Sequence, residues 1–594
     1  MDVSEAEPTG TDHTAVDQPD PAVTIDSLTF SDGTTISLQP RDVVVLVGPN
    51  NAGKSVALRD LEGHVQGQGF NGTVVTRIQL QRTGELADLR RYLDRHAPIR
   101  SQGRNPHYTG YRFSMQTSQV SRHWPGPLGP LAGFFCNSLQ TETRIVGSDP
   151  PRNFNVLRDS PSTPIQMLYR HDDLERRMCA YFKRAFGKDL VVHKGAGSEI
   201  PLLVGKRPPL EPGEDRTSGT YCQRLEDATV PLREQGDGMR SFTSVILHLL
   251  ATTTPSVLIL DEPEAFLHPP QAALLGELLA SERPSRAQLF VATHSADVLT
   301  GLLKMAPGHL RVLRLHREGD INRVTELDKE KAKAIGTDAL MRYSSVLSGI
   351  FHERAIICEG DADCMFYNSI LDLPEVHGTQ RPDVVFVHGG GKDRISRLAA
   401  ALRELGVSVD VIVDIDILNG PGFEALVESL GGSPRGIQTE LRTVRDAVTR
   451  SRLVARSDEV VREIEAVLVE TDSNQVFPRA ARRSIEAILK RTGSPWQTLK
   501  QAGEAGLPHG QATQALQNLS AYCRRIGLWL VAVGELEGFW RSVGGKGPSW
   551  ARGVIEERDL ATEPELQAAR EFVREIWESR RTDSFESKDA RVGY

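Results

Sequence analysis

The chain has 594 residues, of which 39% are hydrophobic and 25% charged, so several globular domains with sizeable cores are expected. The formal net charge of −8 excludes a global basic field, and any contact with nucleic acid must therefore come from a local patch. The 6 cysteines form no CxxC pair, which argues against a zinc site or a disulfide framework and fits a reducing cytosol.

Residues 1–21 are acidic and lack an apolar core, so we expect a disordered tail rather than a signal peptide. The longest apolar runs are the length of buried strands and fall short of the roughly 20 residues that cross a bilayer. We therefore expect no membrane contact and a cytoplasmic location.

A first α/β domain is predicted over residues 22–310. AVTIDSLTFSDGTTISLQ alternates like a hairpin that turns at Asp32-Gly33, and DVVVLVG is typical of a buried strand. TRIVG is predicted to be a short strand and His171–Gly187 a helix. The helix MRSFTSVILHLL and the strands in SVLILDEPE and AQLFVATHS complete this core.

Residues 311–350 are predicted to be a connector, and residues 351–560 a second α/β domain. Its strands lie in RAIICEG, DVVFVHG, DVIVDID and GLWLVAVG, while residues 435–525 between them are helical and rich in arginine. A C-terminal helix and tail are expected over residues 561–594.

GPNNAGKS (Gly48–Ser55) follows a strand and precedes a helix, which is the context of a nucleotide phosphate loop. The backbone N–H groups of such a loop, here at Gly48, Asn51 and Gly53, cradle phosphate oxygens. Lys54 is expected to reach the outer phosphates of ATP and Ser55 to ligate Mg²⁺.

The apolar run VLIL leads into Asp261 and Glu262. Asp261 is predicted to hold the Mg²⁺ shell and Glu262 to polarise the attacking water. His294 ends another buried strand and is predicted to contact the γ-phosphate. The alternative for the two carboxylates is simple capping of the next element, and for His294 a satisfied turn residue.

These motifs resemble the ABC ATPase superfamily, in the branch that includes the chromosome-maintenance and Rad50-like proteins, over residues 22–310. The signature element would be REQGDGMRS, which departs from LSGGQ and leaves the hydrolysis rate open. The resemblance implies that Gly236, Gly238 and Ser241 approach the γ-phosphate of a partner protomer in an ATP-linked homodimer. Gln140 is a candidate for the switch-loop glutamine.

A second candidate site contains four carboxylates. Glu359 follows a predicted strand, Asp363 opens the next helix, and Asp414 and Asp416 lie two apart at another strand end. The carboxyl ends of parallel strands are where α/β sheets bind ligands. Carboxylates suit hard Mg²⁺ or Mn²⁺ ions, which activate water in phosphodiester cleavage.

EGDAD and DID resemble the glutamate-glycine and double-aspartate elements of a Toprim domain, a Rossmann-like catalytic fold. This resemblance implies that Lys546 stabilises the developing phosphorane charge. It also implies that Glu537, beside Glu535, joins a second metal site. Ordinary surface charge is the alternative for these late residues. No gyrase-like tyrosine domain or primase zinc module is recognisable, which leaves hydrolysis.

An ABC ATPase followed by a Toprim domain, each with a helical insertion, is similar to the OLD (overcoming lysogenization defect) family of ATP-dependent nucleases. The nuclease subunit of the Gabija anti-phage system shares this architecture. The family implies a metal-dependent DNA endonuclease that assembles as a homodimer or larger through its ATPase part, with a dimerisation element here at about residues 160–235. A helicase-like defence partner is conceivable by analogy alone.

The predicted function is therefore an ATP-regulated, divalent-metal-dependent endonuclease acting on DNA, in anti-phage defence or DNA processing. An RNA or tRNA nuclease is one alternative, and a sensor or scaffold that binds without cutting is another. A topology or repair factor that does not itself cut is a third. Whether ATP activates or inhibits cleavage is open. The arginine-rich stretch is read first as a solvated helix face and second as a guide for nucleic acid.

Overall fold

The computed structural model describes residues 20–579 apart from 68, 98, 103–104, 111–112, 158, 160, 252–254, 306–307, 328–344, 380, 451–456, 470, 472–475 and 491–494. The expected acidic tail and C-terminal tail lie outside the described residues, except for their innermost positions. The described residues divide into two compact units: residues 20–47 and 51–327 form the first, and residues 48–50 and 345–579 form the second. Every helix in the described part of the chain is too short or too polar to span a bilayer.

The first unit is built around a six-stranded sheet. The described residues of this unit also form three smaller sheets of three strands each. Its strands are β1 (Ala22–Phe30), β2 (Thr35–Ser37), β3 (Val43–Val47), β4 (Val75–Thr83), β5 (Ile99–Gln102), β6 (Asn105–Gly110), β7 (Phe113–Gln116), β8 (Cys136–Leu139), β9 (Asp189–Val192), β10 (Leu202–Gly205), β11 (Thr229–Pro231), β12 (Val257–Asp261), β13 (Gln288–Ala292), β14 (Leu310–Glu318) and β15 (Ile321–Glu326).

The six-stranded sheet has the order β15-β14-β3-β13-β12-β8. Its strands run parallel except for β15, which returns antiparallel to β14. All five residues of β3 are buried, as expected for an apolar run in a parallel sheet covered on both faces. The parallel arrangement brings the ends of β3, β12 and β13 to one edge, where the phosphate-binding motifs lie.

Helices cover this sheet and connect its strands. They are α1 (Lys54–Gln66), α2 (Leu86–His96), α3 (Val120–His123), α4 (Ala132–Phe135), α5 (Thr141–Arg144), α6 (Pro164–Arg170), α7 (Asp172–Phe186), α8 (Gly219–Ala228), α9 (Asp237–Ala251), α10 (Pro269–Ser281) and α11 (Ala296–Met305). The segment proposed for dimerisation contains α6, α7 and α8 together with the antiparallel sheet β11-β10-β9.

Two segments of the first unit differ from the sequence-based expectations. Thr143–Gly147, predicted to be a strand, belongs to α5 and the 3-10 turn Val146–Ser148, because the buried guanidinium of Arg144 is directed at the end of β12. Part of the expected connector forms β14 and β15, which join the central sheet because β14 pairs along β3.

The second unit contains a four-stranded parallel sheet of order β17-β16-β18-β19. Its strands are β16 (Arg354–Cys358), β17 (Val384–His388), β18 (Ser408–Asp414) and β19 (Leu528–Val531). A buried network ties this sheet to the C-terminal helix, because Arg354 donates to Asp410 on β18 at 2.6 Å and to the carbonyl of Ile576 at 2.6 Å.

The helices of the second unit lie before β18, between β18 and β19, and after β19 in the sequence. They are α12 (Asp361–Leu371), α13 (Pro374–His377), α14 (Lys392–Glu404), α15 (Gly422–Ser429), α16 (Gln438–Arg450), α17 (Ser457–Val469), α18 (Arg479–Lys490), α19 (Pro495–Ala502), α20 (Gln511–Arg525), α21 (Pro548–Glu557) and α22 (Gln567–Glu578). The interruption between β18 and β19 is helical, with α16 packed on α20.

Candidate nucleotide and metal sites

The phosphate loop runs from the end of β3 to α1. Asn51 and Gly53 adopt left-handed backbone conformations, with φ of 62° and 90°. A Cβ atom at Gly53 would lie 2.8 Å from the Asn322 side chain, so this position requires glycine for space as well as for conformation. Asn322 donates a hydrogen bond to the Ala52 carbonyl at 2.7 Å and thereby holds the loop from β15.

Ser55 and Asp261 are brought together as the metal assignment requires. The Ser55 hydroxyl donates to Asp261 Oδ1 at 3.0 Å. Lys54, which precedes Ser55 in the chain and begins α1, is buried. Burial raises the pKa of Asp261 in the absence of a cation. A hydroxyl and a carboxylate at this spacing fit the coordination of a nucleotide-bound Mg²⁺.

Glu262 and His294 also meet, because β12 and β13 are parallel and pair Asp261 with Ala292. The Nε2 atom of His294 lies 3.3 Å from Glu262 Oε1. Hydrogen bonding to His294 lowers the pKa of Glu262, which keeps this side chain ionised and able to accept a proton from water. Glu262 has φ of 45°, a strained conformation for a non-glycine residue.

Two buried groups support Glu262, and the sequence motifs did not single them out. Arg144 is 1% exposed and donates from Nη1 to the Glu262 carbonyl oxygen. Glu264 accepts hydrogen bonds from Thr293 Oγ1 at 2.7 Å and from the His294 amide at 2.9 Å. Burial raises the pKa of Glu264. The second glutamate of DEPE was the sequence signal that could have revealed Glu264. No signal pointed to Arg144, because its segment was predicted to be a strand.

The signature residues lie at the start of α9. Gly238 packs so closely that a Cβ atom would fall 2.5 Å from the Phe266 carbonyl oxygen. Ser241 is fully buried, so its hydroxyl does not face solvent, whereas Gly236 has open space around it. The expected approach of the Ser241 hydroxyl to a nucleotide is therefore not what the structure shows. Gln140 follows β8, and the neighbouring Thr141 hydroxyl donates to the Asp261 carbonyl at 3.2 Å.

In the second unit, three predicted carboxylates converge at the carboxyl edge of the sheet. Glu359 directly follows β16, Asp414 ends β18, and Asp416 lies in the 3-10 turn Ile415–Asn419. One carboxylate oxygen from each lies within 4.8 Å of the others. The Asp414 amide donates to Glu359 Oε1 at 3.0 Å, which fixes the two strand ends relative to each other. The set fits a divalent cation that prefers oxygen ligands.

Asp363, Glu537 and Lys546 surround this cluster without belonging to it. They line a cavity of about 430 Å³ together with Asp414 and Glu535. Burial and then the charge of Asp414 raise the pKa of Asp363 to about 6. Glu537 accepts from the Gly547 amide at 2.6 Å, and Lys546 Nζ lies 3.4 Å from Glu535. The cavity therefore presents further acidic ligands and a cation beside the three-carboxylate cluster.

Lys500 is a member of this site that sequence reasoning missed. Its ammonium lies 2.6 Å from Asp414 Oδ2 and 3.8 Å from Asp416 Oδ1. It is carried by α19 in the helical interruption, where no motif distinguished it from neighbouring basic residues. Only the fold, which returns α19 to the turn after β18, reveals the contact.

Comparison with known proteins connects both units to described families. Residues 350–416, which hold the three carboxylates, match the model of the TOPRIM domain of overcoming lysogenization defect protein-like proteins. The chain is also 22% identical to the Old nuclease of Escherichia phage P2 over 169 residues. The resemblance to the OLD family is confirmed. That match spans 28% of this chain and 28% of the phage protein, so the chain covers little more than a quarter of this OLD relative.

Residues 149–300 match the model of an AAA domain whose description also names the AbiEii toxin of a Type IV TA system. This OLD-like chain thus combines a P-loop ATPase domain with a C-terminal TOPRIM domain. The predicted α/β fold class is confirmed. Solved structures with some similarity include an Smc head bound to the C-winged helix domain of ScpA, at 12% identity and a TM-score of 0.32, covering 52% of this chain and 99% of that one. The SMC head domain from Thermotoga maritima follows, at 11% identity and 0.28, covering 52% and 99%.

Proposed function

We propose that the protein is an ATP-regulated endonuclease that cuts DNA with divalent metal held by Glu359, Asp414 and Asp416. The observation that carries this proposal is the convergence of these carboxylates within 4.8 Å at the carboxyl edge of the TOPRIM sheet. Two units carrying a nucleotide site and a carboxylate site in one chain support the regulation by ATP. Mg²⁺ is the proposed ion, and Mn²⁺ an alternative that satisfies the same ligands.

A divalent ion bound there would activate water and stabilise the oxygens of the scissile phosphate. The residues around it would divide the remaining work. Lys546 would stabilise negative charge on the phosphate, because its side chain borders the cavity. Asp363 and Glu537, which line the same cavity, would provide ligands for a second ion. Glu359, Asp414 and Asp416 would hold the first.

The nucleotide site would bind ATP and Mg²⁺ through Gly48–Ser55 and Asp261, with Glu262 as general base and His294 beside the γ-phosphate. We propose that ATP joins two ATPase domains through the Gly236–Gly238 segment, so that a homodimer or larger assembly forms. Because Ser241 is fully buried, we assign this contact to the backbone N–H groups of the segment rather than to the Ser241 hydroxyl. This arrangement would couple nucleotide state to nuclease geometry through the assembly.

DNA is the proposed substrate, with RNA as the competing nucleic acid, and anti-phage defence is the proposed setting. A helicase-like partner is part of that proposal by analogy. The arginine-rich helices offer limited direct support, because several of their arginines pair with acidic neighbours on the same helix. Charge reversal at Arg482 and Arg483 tests them: weaker DNA binding with a flatter salt dependence would make this face the guide, and unchanged binding would make it a solvated surface.

Cleavage of supercoiled plasmid in Mg²⁺ or Mn²⁺, with and without ATP, tests the proposal. We expect nicking or linearisation that requires metal, and a rate that changes with ATP in the wild type but not in Lys54→Ala. A structured RNA run in parallel separates the two substrates. Metal-independent cleavage would contradict the proposed metal site, and no cleavage of either nucleic acid would contradict the nuclease and favour a sensor or scaffold.

A further inference from the structure

The carboxylate cluster of the TOPRIM domain holds a cation from the protein itself. Glu359, Asp414 and Asp416 place three acidic groups within 4.8 Å, an arrangement that is unfavourable unless positive charge balances it. Lys500 supplies that charge, with Nζ 2.6 Å from Asp414 Oδ2 and 3.8 Å from Asp416 Oδ1. These are two of the three groups assigned to the metal.

An ammonium so placed and a divalent ion would compete for the negative charge of the same two carboxylates, Asp414 and Asp416. A lysine ammonium donates up to three hydrogen bonds and carries one charge, so its contacts with Asp414 and Asp416 stabilise the cluster in place of an ion. A cation bound by these carboxylates would repel an ammonium held 2.6 Å from Asp414 Oδ2. The ammonium in this position therefore disfavours binding of a cation at Asp414.

We propose that Lys500 is a built-in competing counter-ion that occupies the carboxylate cluster until a divalent cation displaces it, and that it thereby sets the metal affinity of the site. This inference rests on the proposed metal-binding role of the cluster. Lys500 is a positioning residue here, since it acts through Asp414 and Asp416.

The surroundings give Lys500 somewhere to go. It borders the cavity of about 430 Å³, as do Gln497 and Gln501 from the same helix. Its side chain is 28% exposed, and rotation about the flexible lysine stem would move the ammonium from Asp414 toward the cavity. In that position it would lie where the phosphate backbone of a substrate is proposed to enter.

Titration of the nucleotide-free, full-length protein with Mn²⁺ in a calorimeter tests the inference without any cleavage assay. Lys500→Met keeps the length of the side chain and removes its charge, so we expect Mn²⁺ to bind at least about tenfold more tightly. Lys500→Arg keeps the charge and should stay within about threefold of the wild type. Lys304→Met, which removes a charge that pairs with Glu277 in the first unit, is the matched control and should not change the affinity.

The double variant Asp414→Asn/Asp416→Asn removes two of the carboxylates. The heat of Mn²⁺ binding that it loses relative to the wild type belongs to this site. Unchanged or weaker Mn²⁺ binding in Lys500→Met, relative to the wild type, would overturn the inference. A second measurement needs no substitution at Lys500: an amine-acylating reagent followed by mass spectrometry should modify Lys500 several-fold faster when Mn²⁺ is present. Equal labelling with and without Mn²⁺ would also overturn it.

The outcomes separate this inference from the proposed function. Tighter binding in Lys500→Met without any nucleic-acid cleavage would support the counter-ion role and contradict the nuclease. Metal-dependent cleavage with unchanged binding in Lys500→Met would do the reverse. If the double variant binds Mn²⁺ as the wild type does, the cluster is not the metal site and the inference is overturned.

Discussion

Asn322 donates a hydrogen bond to the carbonyl oxygen of Ala52 at 2.7 Å, which connects β15 to the middle of the phosphate loop. The same side chain leaves no space for a Cβ atom at Gly53, only 2.8 Å away. The Ser31 hydroxyl holds the backbone of Asn322, because it accepts from the backbone N–H of Asn322 and donates to the backbone carbonyl. A hairpin outside the recognisable motifs therefore shapes the nucleotide site.

Asn322→Ala is expected to weaken ATP binding about tenfold. The substitution leaves the buried Ala52 carbonyl without this donor, a loss of about 1–3 kcal/mol that falls on the loop conformation. Titration with a fluorescent ATP analogue measures the effect. Thr29→Ala on the adjoining hairpin is the control, because Thr29 shares its exposed hydrogen bond only with Thr35 and should leave affinity unchanged. Equal affinities in all three proteins would show that Asn322 does not shape the loop.

Glu262→Gln is expected to retain ATP and lose its hydrolysis. The ionised carboxylate beside His294 is the proposed general base, and removal of such a group reduces a rate by about 100-fold to 10,000-fold. Phosphate release and nucleotide binding, measured on the same preparation, separate the two steps. Glu282→Gln, at a partly buried glutamate paired with Arg177, serves as control. Hydrolysis at the wild-type rate in Glu262→Gln would remove Glu262 from the chemistry.

Local motifs predicted much of both sites. The residues within each motif are close in sequence, and apolar runs show where the strands that carry the motifs end. Ser55 meets Asp261, and Glu359 meets Asp414 and Asp416, as parallel strands require. The residues that the sequence did not reveal reach the sites through tertiary contacts. Asn322 comes from a presumed connector and Lys500 from a helical interruption.

A tertiary contact also accounts for the segment Thr143–Gly147, which is not the strand predicted for it. TRIVG has the β-branched residues of a strand, but its first two residues end α5, where buried Arg144 donates to the Glu262 carbonyl. Propensity over five residues is a weak preference that a single buried charged contact overrides. A sequence alone does not show which side chain that contact will require.

Stability should depend on pH through Glu264. Burial raises the pKa of Glu264 above its usual value, so the folded chain binds this proton more tightly than the unfolded chain. The stability from this group is complete below the ordinary carboxyl pKa and is lost as pH rises through the raised value. Glu264→Gln keeps an acceptor for Thr293 and cannot ionise. We expect its Tm, relative to the wild type, to increase as pH rises from the ordinary carboxyl pKa through the raised pKa of Glu264. A constant difference would contradict this expectation.

Arg445→Met should destabilise the TOPRIM domain by about 1–2 kcal/mol. Arg445 on α16 donates to the Leu418 carbonyl at 2.6 Å and to the Gly420 carbonyl at 3.0 Å, which ties the helical interruption to the turn that carries Asp416. Urea unfolding measures the change. Arg450→Met is the matched control on the same helix: its exposed pair with Asp446 should contribute less than about 0.5 kcal/mol. Equal losses in both variants would indicate a general effect of charge.

The central claim is that Glu359, Asp414 and Asp416 form the cleavage site. The most direct test is the rate of Mg²⁺-dependent plasmid cleavage by Glu359→Gln, Asp414→Asn and Asp416→Asn, with Glu575→Gln, an exposed partner of Arg524 in the same unit, as control. We predict that each of the three substitutions lowers the rate by about 100-fold or more, since metal-held charge stabilisation contributes several kcal/mol, while the control cleaves normally. Cleavage at the wild-type rate in any of the three folded variants would contradict the claim.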